Sequence, residues 1–266
     1  MQPLDVLAAL RRRLVSVWRL LLGAVCLTGA LAAHAVPTIV VGPGSPIAGY
    51  LPLALFGVAP LAGFTDDSIQ NANVPSFMYA GQSWSTLGIS SNGYLVVGSA
   101  AGPADNQALN RSLPDSAAPH NILAPFWTDL DIAQGGQISI ATLTDGVSSW
   151  IVVDWNQLAN KDGSGANSFE VWIGINGVEE IVFEYGAIAG AQAGSGGLLT
   201  VGAQDKTGTV GANRYYNGAG SAPVVGQTLG VSSRDLPVVV EVPEPTSVAL
   251  VGLGLVGLLA ARRRRA

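Results

Sequence analysis

Residues 169–185 read FEVWIGINGVEEIVFEY, and this stretch decides the fold class. Apolar and polar side chains alternate on both sides of Asn176-Gly177, as they do in two β-strands that each bury one face. Asn-Gly readily adopts the two positive φ angles of a type I′ turn, so the stretch predicts a β-hairpin. The alternation predicts two faces: Phe169, Val171, Ile173, Ile181, Phe183 and Tyr185 point inward, whereas Glu170, Trp172, Val182 and Glu184 point outward.

The same pattern recurs along most of the chain. Asn92-Gly93 and Asp145-Gly146 each join two short β-branched runs and predict two further hairpins, the first also with a type I′ turn. No dozen residues between 36 and 241 carry apolar side chains at the spacing of an amphipathic helix. Strands are therefore predicted at residues 76–80, 84–90, 94–97, 137–143, 150–155, 168–175, 179–185, 199–204, 228–231 and 237–241.

These strands predict an all-β fold, a two-sheet β-sandwich over residues 64–241. Residues 36–63 are rich in Pro, Gly and Leu, and we interpret them as a leader segment with one strand at Thr38–Val41. Residues 36–241 hold five basic and sixteen acidic side chains, a net charge of −11. This charge argues against nucleic acid and anionic lipid as partners of the body.

The first 35 residues have the pattern of a secretory signal peptide. Four arginines precede an apolar run at Leu20–Ala33, which closes on the small residues Ala33 and Ala35 of an A-x-A site. Cleavage by signal peptidase is expected between Ala35 and Val36, and it would remove Cys26, the one cysteine. The alternative is an uncleaved membrane anchor.

The last 25 residues, 242–266, read as a second membrane signal. Val242-Pro243-Glu244-Pro245 precedes an apolar run at Val248–Ala261 and four arginines, Arg262, Arg263, Arg264 and Arg265. A helix of these 14 apolar residues is about 21 Å long, enough to cross a thin bilayer with help from the flanking residues. The arginine cluster should remain cytoplasmic, which predicts a single transmembrane helix with the body outside the inner membrane.

This tail closely resembles the PEP-CTERM sorting signal, which has the same three parts in the same order. The resemblance implies recognition by an exosortase of a Gram-negative bacterium, with cleavage near Pro243-Glu244-Pro245. It further implies release or attachment at the cell surface and an association with exopolysaccharide and biofilm. The alternative is an ordinary tail anchor, which has no need of two prolines flanking a glutamate.

The body also resembles a known module over about Gly49–Tyr216. The most specific blocks are Ser91–Tyr94 and Ala124–Leu130, with supporting matches at residues 113–114, 151–155 and 200–203. The blocks are similar to the β-rich accessory domain of secreted subtilisin-like proteases and, more loosely, to the nidogen-type extracellular domain. The resemblance implies a module that is not itself catalytic.

Few side chains of the body suit catalysis. His120 is its one histidine, and there is no G-x-S-x-G, no phosphate-binding loop and no zinc ligand set. A carboxylate pair of the glycosidase kind is the remaining catalytic option. The candidates are Asp154, Glu170, Glu179, Glu180 and Glu184, although we favour solvated charges on the outer face for all of them.

Calcium is the cofactor that the residues allow, although none is required. Asp129 and Asp131 place two carboxylates on one side of an extended segment, and Asp66-Asp67 and Asp105-Asn106 are further oxygen-rich groups. None of them has the spacing of a known calcium loop, and the competing interpretation is that they form turns. Trp172, on the outer face, is a candidate sugar-binding aromatic, with packing as the alternative.

The sequence thus predicts an exported, exosortase-sorted surface or matrix protein that is not an enzyme. Its expected partners are signal peptidase, exosortase, the inner membrane as a precursor and exopolysaccharide, without nucleic acid. The alternative is a carbohydrate-active enzyme or a calcium-dependent carbohydrate-binding module on the sandwich.

Overall fold

The 169–185 stretch forms the predicted hairpin in the computed structural model, which describes residues 36–236 except 179 and 190–193. The side chains of residues 36–38 and 234–236 are not described either. Asn176 and Gly177 have φ angles of 57° and 89°, and Val178 N–H donates to the carbonyl of Ile175 at 3.2 Å, as in a type I′ turn. Phe169, Phe183 and their inward-facing neighbours are buried in the core, as predicted.

Residues 36–236 form one compact unit of two antiparallel seven-stranded sheets. The prediction of an all-β fold with two sheets is confirmed. In the first sheet the strands are β1 (Val36–Pro43), β6 (Leu130–Asp131), β7 (Gln137–Thr144), β8 (Ser149–Asn160), β9 (Ala166–Ile175), β10 (Ile181–Tyr185) and β14 (Thr228–Leu236). Their order is β1-β14-β10-β9-β8-β6, with β7 also paired to β8.

The second sheet faces the first across the core. Its strands are β2 (Ile69–Tyr79), β3 (Gln82–Ser90), β4 (Leu95–Val97), β5 (Ile122–Trp127), β11 (Thr200–Gln204), β12 (Gly211–Tyr216) and β13 (Ala219–Gly220). They lie in the order β13-β12-β11-β5-β4-β3-β2. The helices of the described residues are four short 3₁₀ helices at Leu53–Phe56, Pro103–Asp105, Ile132–Gln134 and Ser195–Gly197.

Three stacked aromatic rings lie between the sheets. The Phe169 ring centroid is 5.0 Å from that of Phe126 and 5.2 Å from that of Trp155. The indole N–H of Trp155 donates to the carbonyl of Ser90 at 2.9 Å, so this buried polar group is paired across the core. Side chains of both sheets therefore fill one continuous apolar interior.

The other two predicted hairpins are present, but one has a different turn. Gly93 has a φ of 73°, whereas Asn92 does not have the positive φ that a type I′ turn requires. Asn92 is instead buried, and its side-chain oxygen accepts from Leu130 N–H at 2.9 Å while its amide donates to Asp67 at 2.9 Å. The prediction of a type I′ turn at Asn92-Gly93 is therefore wrong, because this asparagine joins neighbouring segments.

The expected leader segment is part of the sandwich, which corrects the predicted boundary at residue 64. β1 pairs along its whole length with β14, and Val36 lies opposite Leu236. Residues 47–58, which we call the strap, then cross the outer face of the first sheet. Leu53 of the strap is fully buried in an apolar cluster with Trp150, Trp172 and two valines.

Several predictions concern segments that the structure does not describe. The signal peptide, the strand at 237–241, the sorting motif and the transmembrane helix all lie outside the described residues. Within residues 36–236, apart from the gaps given above, no helix is long and apolar enough to cross a membrane.

Candidate functional site

Three carboxylates form a row across the outer face of the first sheet. Asp154 on β8 lies directly opposite Glu170 on β9, and Glu170 lies directly opposite Glu184 on β10. All three are buried, with at most 1% of their surface exposed. The interpretation of these residues as solvated charges is wrong, because the strap covers the face on which they lie.

The strap supplies most of the hydrogen-bond donors to this carboxylate row. The backbone N–H of Leu53 donates to Asp154 at 3.0 Å, and the Tyr50 hydroxyl donates to the other oxygen of Asp154 at 3.1 Å. The backbone N–H groups of Leu51 and Ile47 donate at 3.2 Å and 3.3 Å to Glu170 and Glu184, respectively. Each carboxylate is therefore a point of attachment for the strap.

The sheet itself provides two further donors. The indole N–H of Trp172 donates to Glu170 Oε2 at 2.9 Å, and the Thr228 hydroxyl donates to Glu184 Oε2 at 2.6 Å. The second oxygen of Glu170, Oε1, is enclosed without a hydrogen-bond partner. Trp172 does lie on the outer face as predicted, but it is only 3% exposed. It therefore packs beneath the strap and is unavailable to a sugar.

Burial raises the pKa of all three carboxyl groups. The pKa of Glu170 rises to about 8. Hydrogen bonds from Trp172 and Leu51 favour the charged form and lower the pKa, but the effect of burial is larger. The pKa of Asp154 rises to about 6 for the same reason, and that of Glu184 is also raised. Glu170 faces Asp154 and Glu184 on its two neighbouring strands, and these like charges add to the rise in its pKa that burial causes.

A second acidic cluster lies where the loop between the strap and β2 meets the segment after β5. Oxygens of Asp66, Asp67 and Asp129 lie within 4.8 Å of one another. One oxygen each of Asp66, Asp129 and nearby Asn106 is enclosed without a hydrogen-bond partner, and the Asn106 amide donates to the Asp67 carbonyl. Burial, followed by the charges of Asp67 and Asp66, raises the pKa of Asp129. These are the described side chains that could hold a cation.

Asp131 lies outside this cluster. It accepts from the Lys161 ammonium at 2.9 Å and from the backbone N–H of Ala133 at 2.9 Å. The hydrogen bond from Lys161, followed by that from Gln134, holds the pKa of Asp131 below its usual value. The Lys161 ammonium also pairs with Asp66 of the cluster, so it links the predicted ligand Asp131 to the group that contains Asp129, and calcium binding stays a prediction.

Calcium should raise the melting temperature of the body by a few degrees at millimolar concentration. Binding to the folded state alone stabilises it by mass action, and carboxylate oxygens are the ligands that calcium prefers. Asp129→Asn should abolish the calcium-dependent shift, whereas Asp145→Asn, in an exposed turn, should retain it. Differential scanning fluorimetry with and without calcium tests this, and equal shifts in both variants would contradict it.

His120 has no catalytic partner among the described residues. Its Nε2 lies 2.9 Å from the carbonyl oxygen of Ser116, on the same loop. Glu179 lies outside the described residues, and Glu180 is exposed, unlike the buried carboxylates of the row. The residues at the ends, Ala33, Ala35, Val242–Pro245 and Arg262–Arg265, also lie outside the described residues.

Two family models match the chain. One, described as NIDO related, covers residues 50–236, which is most of the chain and nearly all of the compact unit. The other, described as the PEP-CTERM protein-sorting motif, covers residues 241–265. Neither the curated proteins nor the solved structures contain a match.

Proposed function

Because the chain belongs to the NIDO-related family and ends in a PEP-CTERM protein-sorting motif, we propose that it is an exported, non-catalytic surface or matrix protein sorted by an exosortase. The observation that carries the proposal is the position of the motif. It begins at residue 241, five residues after the compact unit ends at Leu236. A folded body is thus followed at once by a sorting signal.

The proposed route starts with a signal peptide that ends at Ala35. The precursor is then held in the inner membrane by the apolar run at Val248–Ala261, with the four arginines inside. Exosortase cleaves near Pro243-Glu244-Pro245, and the body reaches the cell surface or the extracellular matrix. Its net negative charge favours neutral polymers over anionic ones, so we propose association with exopolysaccharide.

Replacing Pro243, Glu244 and Pro245 together by alanine should trap the full-length precursor in the membrane fraction. Proline fixes φ and has no backbone N–H, so a motif with two prolines favours the extended conformation that a cleft-bound substrate needs. The measurement is immunoblotting of membrane, surface and culture fractions. A matched control changes Val238, Val239 and Val240 to alanine, and it should be processed like the wild type.

Deleting residues 246–266 should instead release the folded body unsorted, because the sandwich is complete before this segment. If the tail were a plain membrane anchor, the triple alanine change would have no effect, and the variant would behave as the wild type. Processing of that variant at the wild-type rate would therefore overturn the sorting proposal.

The carboxylate row supports one alternative, a carbohydrate-active enzyme. Neighbouring carboxyl groups with pKa values of about 6 and about 8 are the kind of pair that glycosidases use. The strap argues against it, since at most 1% of each carboxylate is exposed. Only an enzyme would shorten matrix polysaccharide, so size-exclusion chromatography of the polymer after incubation with the body distinguishes the two functions.

A further inference from the structure

A pocket of about 260 Å³ lies between two turns of the second sheet. One wall is the turn at Ala80-Gly81 that joins β2 to β3, and the other is the turn at Asp205–Thr207 that follows β11. Trp84 on β3 and Asn121, just before β5, complete it. The volume is just below the range of typical small-molecule sites and suits a single small ring.

Trp84 is held in place before any ligand arrives. Its indole N–H donates to the Tyr79 carbonyl at 3.2 Å. Gly98 packs against the six-membered ring so closely that a Cβ there would lie 2.8 Å from ring carbon Cζ3. The half-buried indole therefore offers a fixed apolar surface to the pocket, which lowers the entropic cost of stacking a ligand on it.

Asn121 contributes a buried acceptor that lacks a donor. The side chain is 5% exposed, and its amide N–H₂ donates to the Val97 carbonyl at 2.6 Å. That hydrogen bond identifies the other atom as Oδ1, which has no hydrogen-bond partner. Because this oxygen is enclosed, a ligand in the pocket cannot reach it without a movement of the side chain, and Asn121 serves as a fixed part of the pocket wall.

Two non-glycine residues of the pocket have a left-handed backbone. Ala80 and Asn121 have φ angles of 48° and 56°, a left-handed conformation that alanine seldom adopts. The Ala80 N–H donates to the Ser233 hydroxyl at 3.0 Å, which ties this turn to β14 of the other sheet. Ala80 and Gly81 are the two central residues of the hairpin turn between β2 and β3, which explains their positive φ angles of 48° and 71°.

The rim of the pocket is polar but close to neutral. The Lys206 ammonium donates to Gln82 Oε1 at 3.0 Å and so links the two turns. The neighbouring Asp205 carboxylate accepts from Thr207 Oγ1 and from Val210 N–H, and it offsets the lysine charge. The pocket thus combines an aromatic surface with amide, hydroxyl and ammonium groups.

We propose that this pocket binds one pyranose unit of a neutral polysaccharide. The apolar face of the sugar ring stacks on Trp84, and its hydroxyl groups contact the exposed side chains of Gln82 and Lys206 at the rim. This inference rests on the proposed function for one point: the protein is delivered to a place where a polysaccharide is present. A nucleic acid base would also stack on Trp84. The phosphates of a nucleic acid are repelled by the strongly acidic body, however, and this disfavours it as the ligand.

Affinity electrophoresis of the 36–236 unit in native gels containing dextran, galactomannan or amylose tests this proposal. At least one polysaccharide should retard the wild type. Trp84→Ala should weaken the retardation about tenfold or more, as expected when an aromatic contact is lost, and Lys206→Ala should weaken it several-fold. Phe56→Ala removes an exposed aromatic outside the pocket and should have no effect.

Absence of retardation in every gel would overturn the proposal, as would equal retardation of Trp84→Ala and Phe56→Ala. If Trp84→Ala fails to fold by circular dichroism, Lys206→Ala decides, because its side chain is exposed and unaltered retardation would refute the site. The assay contains no membrane and no exosortase. A failure here therefore leaves the sorting proposal intact, and a failure of sorting leaves this result intact.

Discussion

Replacing Gly93 by alanine should destabilise the body by more than about 3 kcal/mol, a large part of the stability of a typical domain. Gly93 has a φ of 73°, and a Cβ there would overlap the carbonyl oxygen of Phe126 and lie 3.1 Å from the Phe169 ring. The backbone cannot yield easily, because the Phe126 N–H donates to the Gly93 carbonyl at 3.2 Å. The added methyl group therefore pushes directly on the aromatic stack of the core.

Gly177→Ala is the matched control for this prediction. Gly177 follows an asparagine in the same way and has a φ of 89°, but no atom lies within 4 Å of the position that a Cβ would take there. Only the left-handed conformation is penalised, at a cost of about 1–2 kcal/mol. Urea denaturation of both variants measures the difference in the free energy of unfolding. Equal losses of stability would show that the overlap with Phe126 does not contribute.

The free energy of unfolding should fall steadily as the pH rises from 5 to 9. A carboxyl group whose pKa is raised on folding stabilises the native state below its unfolded pKa and loses that contribution as the pH passes its folded pKa. For Glu170 the two values are 4.5 and about 8, which corresponds to on the order of 5 kcal/mol in all, about 4 kcal/mol of it between pH 5 and pH 9. Burial also raises the pKa of Asp154 and Glu184 on the adjacent strands, so their contributions have the same sign.

Glu170→Gln should remove most of this pH dependence. Relative to the wild type, the variant should gain on the order of 4 kcal/mol between pH 5 and pH 9, because glutamine cannot ionise beneath the strap. Asp145→Asn is the control: Asp145 lies in an exposed turn whose backbone hydrogen bonds lower its pKa, so this variant should follow the wild-type curve between pH 5 and pH 9. Denaturation curves at several pH values test this prediction. If the stability of Glu170→Gln depends on pH in the same way as that of the wild type, Glu170 is not the group responsible.

The strands were largely predictable because their side chains alternate. The strand predicted at 168–175 begins two residues later than the observed β9. The strand predicted at 137–143 ends one residue before the observed β7. β5 was missed because Pro125 interrupts it, and β12 was missed because its ANRYY sequence lacks a simple alternation. These strands are identified by their partners in the sheet rather than by their own composition.

The candidate sites were much less predictable than the strands. The outward position of Glu170 and Trp172 followed from alternation, but their burial depends on the strap, which lies more than a hundred residues earlier in the chain. Asp66 and Asp129 likewise meet only in the folded sheet pair, and so do Trp84 and Asn121. Local patterns predict which face a residue occupies, whereas distant segments determine whether that face meets water.

The pairing of β1 with β14 also determines how the domain responds to mechanical force. Val36 lies opposite Leu236, so the two ends of the domain leave it side by side, and pulling them apart would open the strand pair one hydrogen bond at a time. Such unzipping needs little force, since the bonds break in sequence and not together. A chain held at one end only places no such load on this pair.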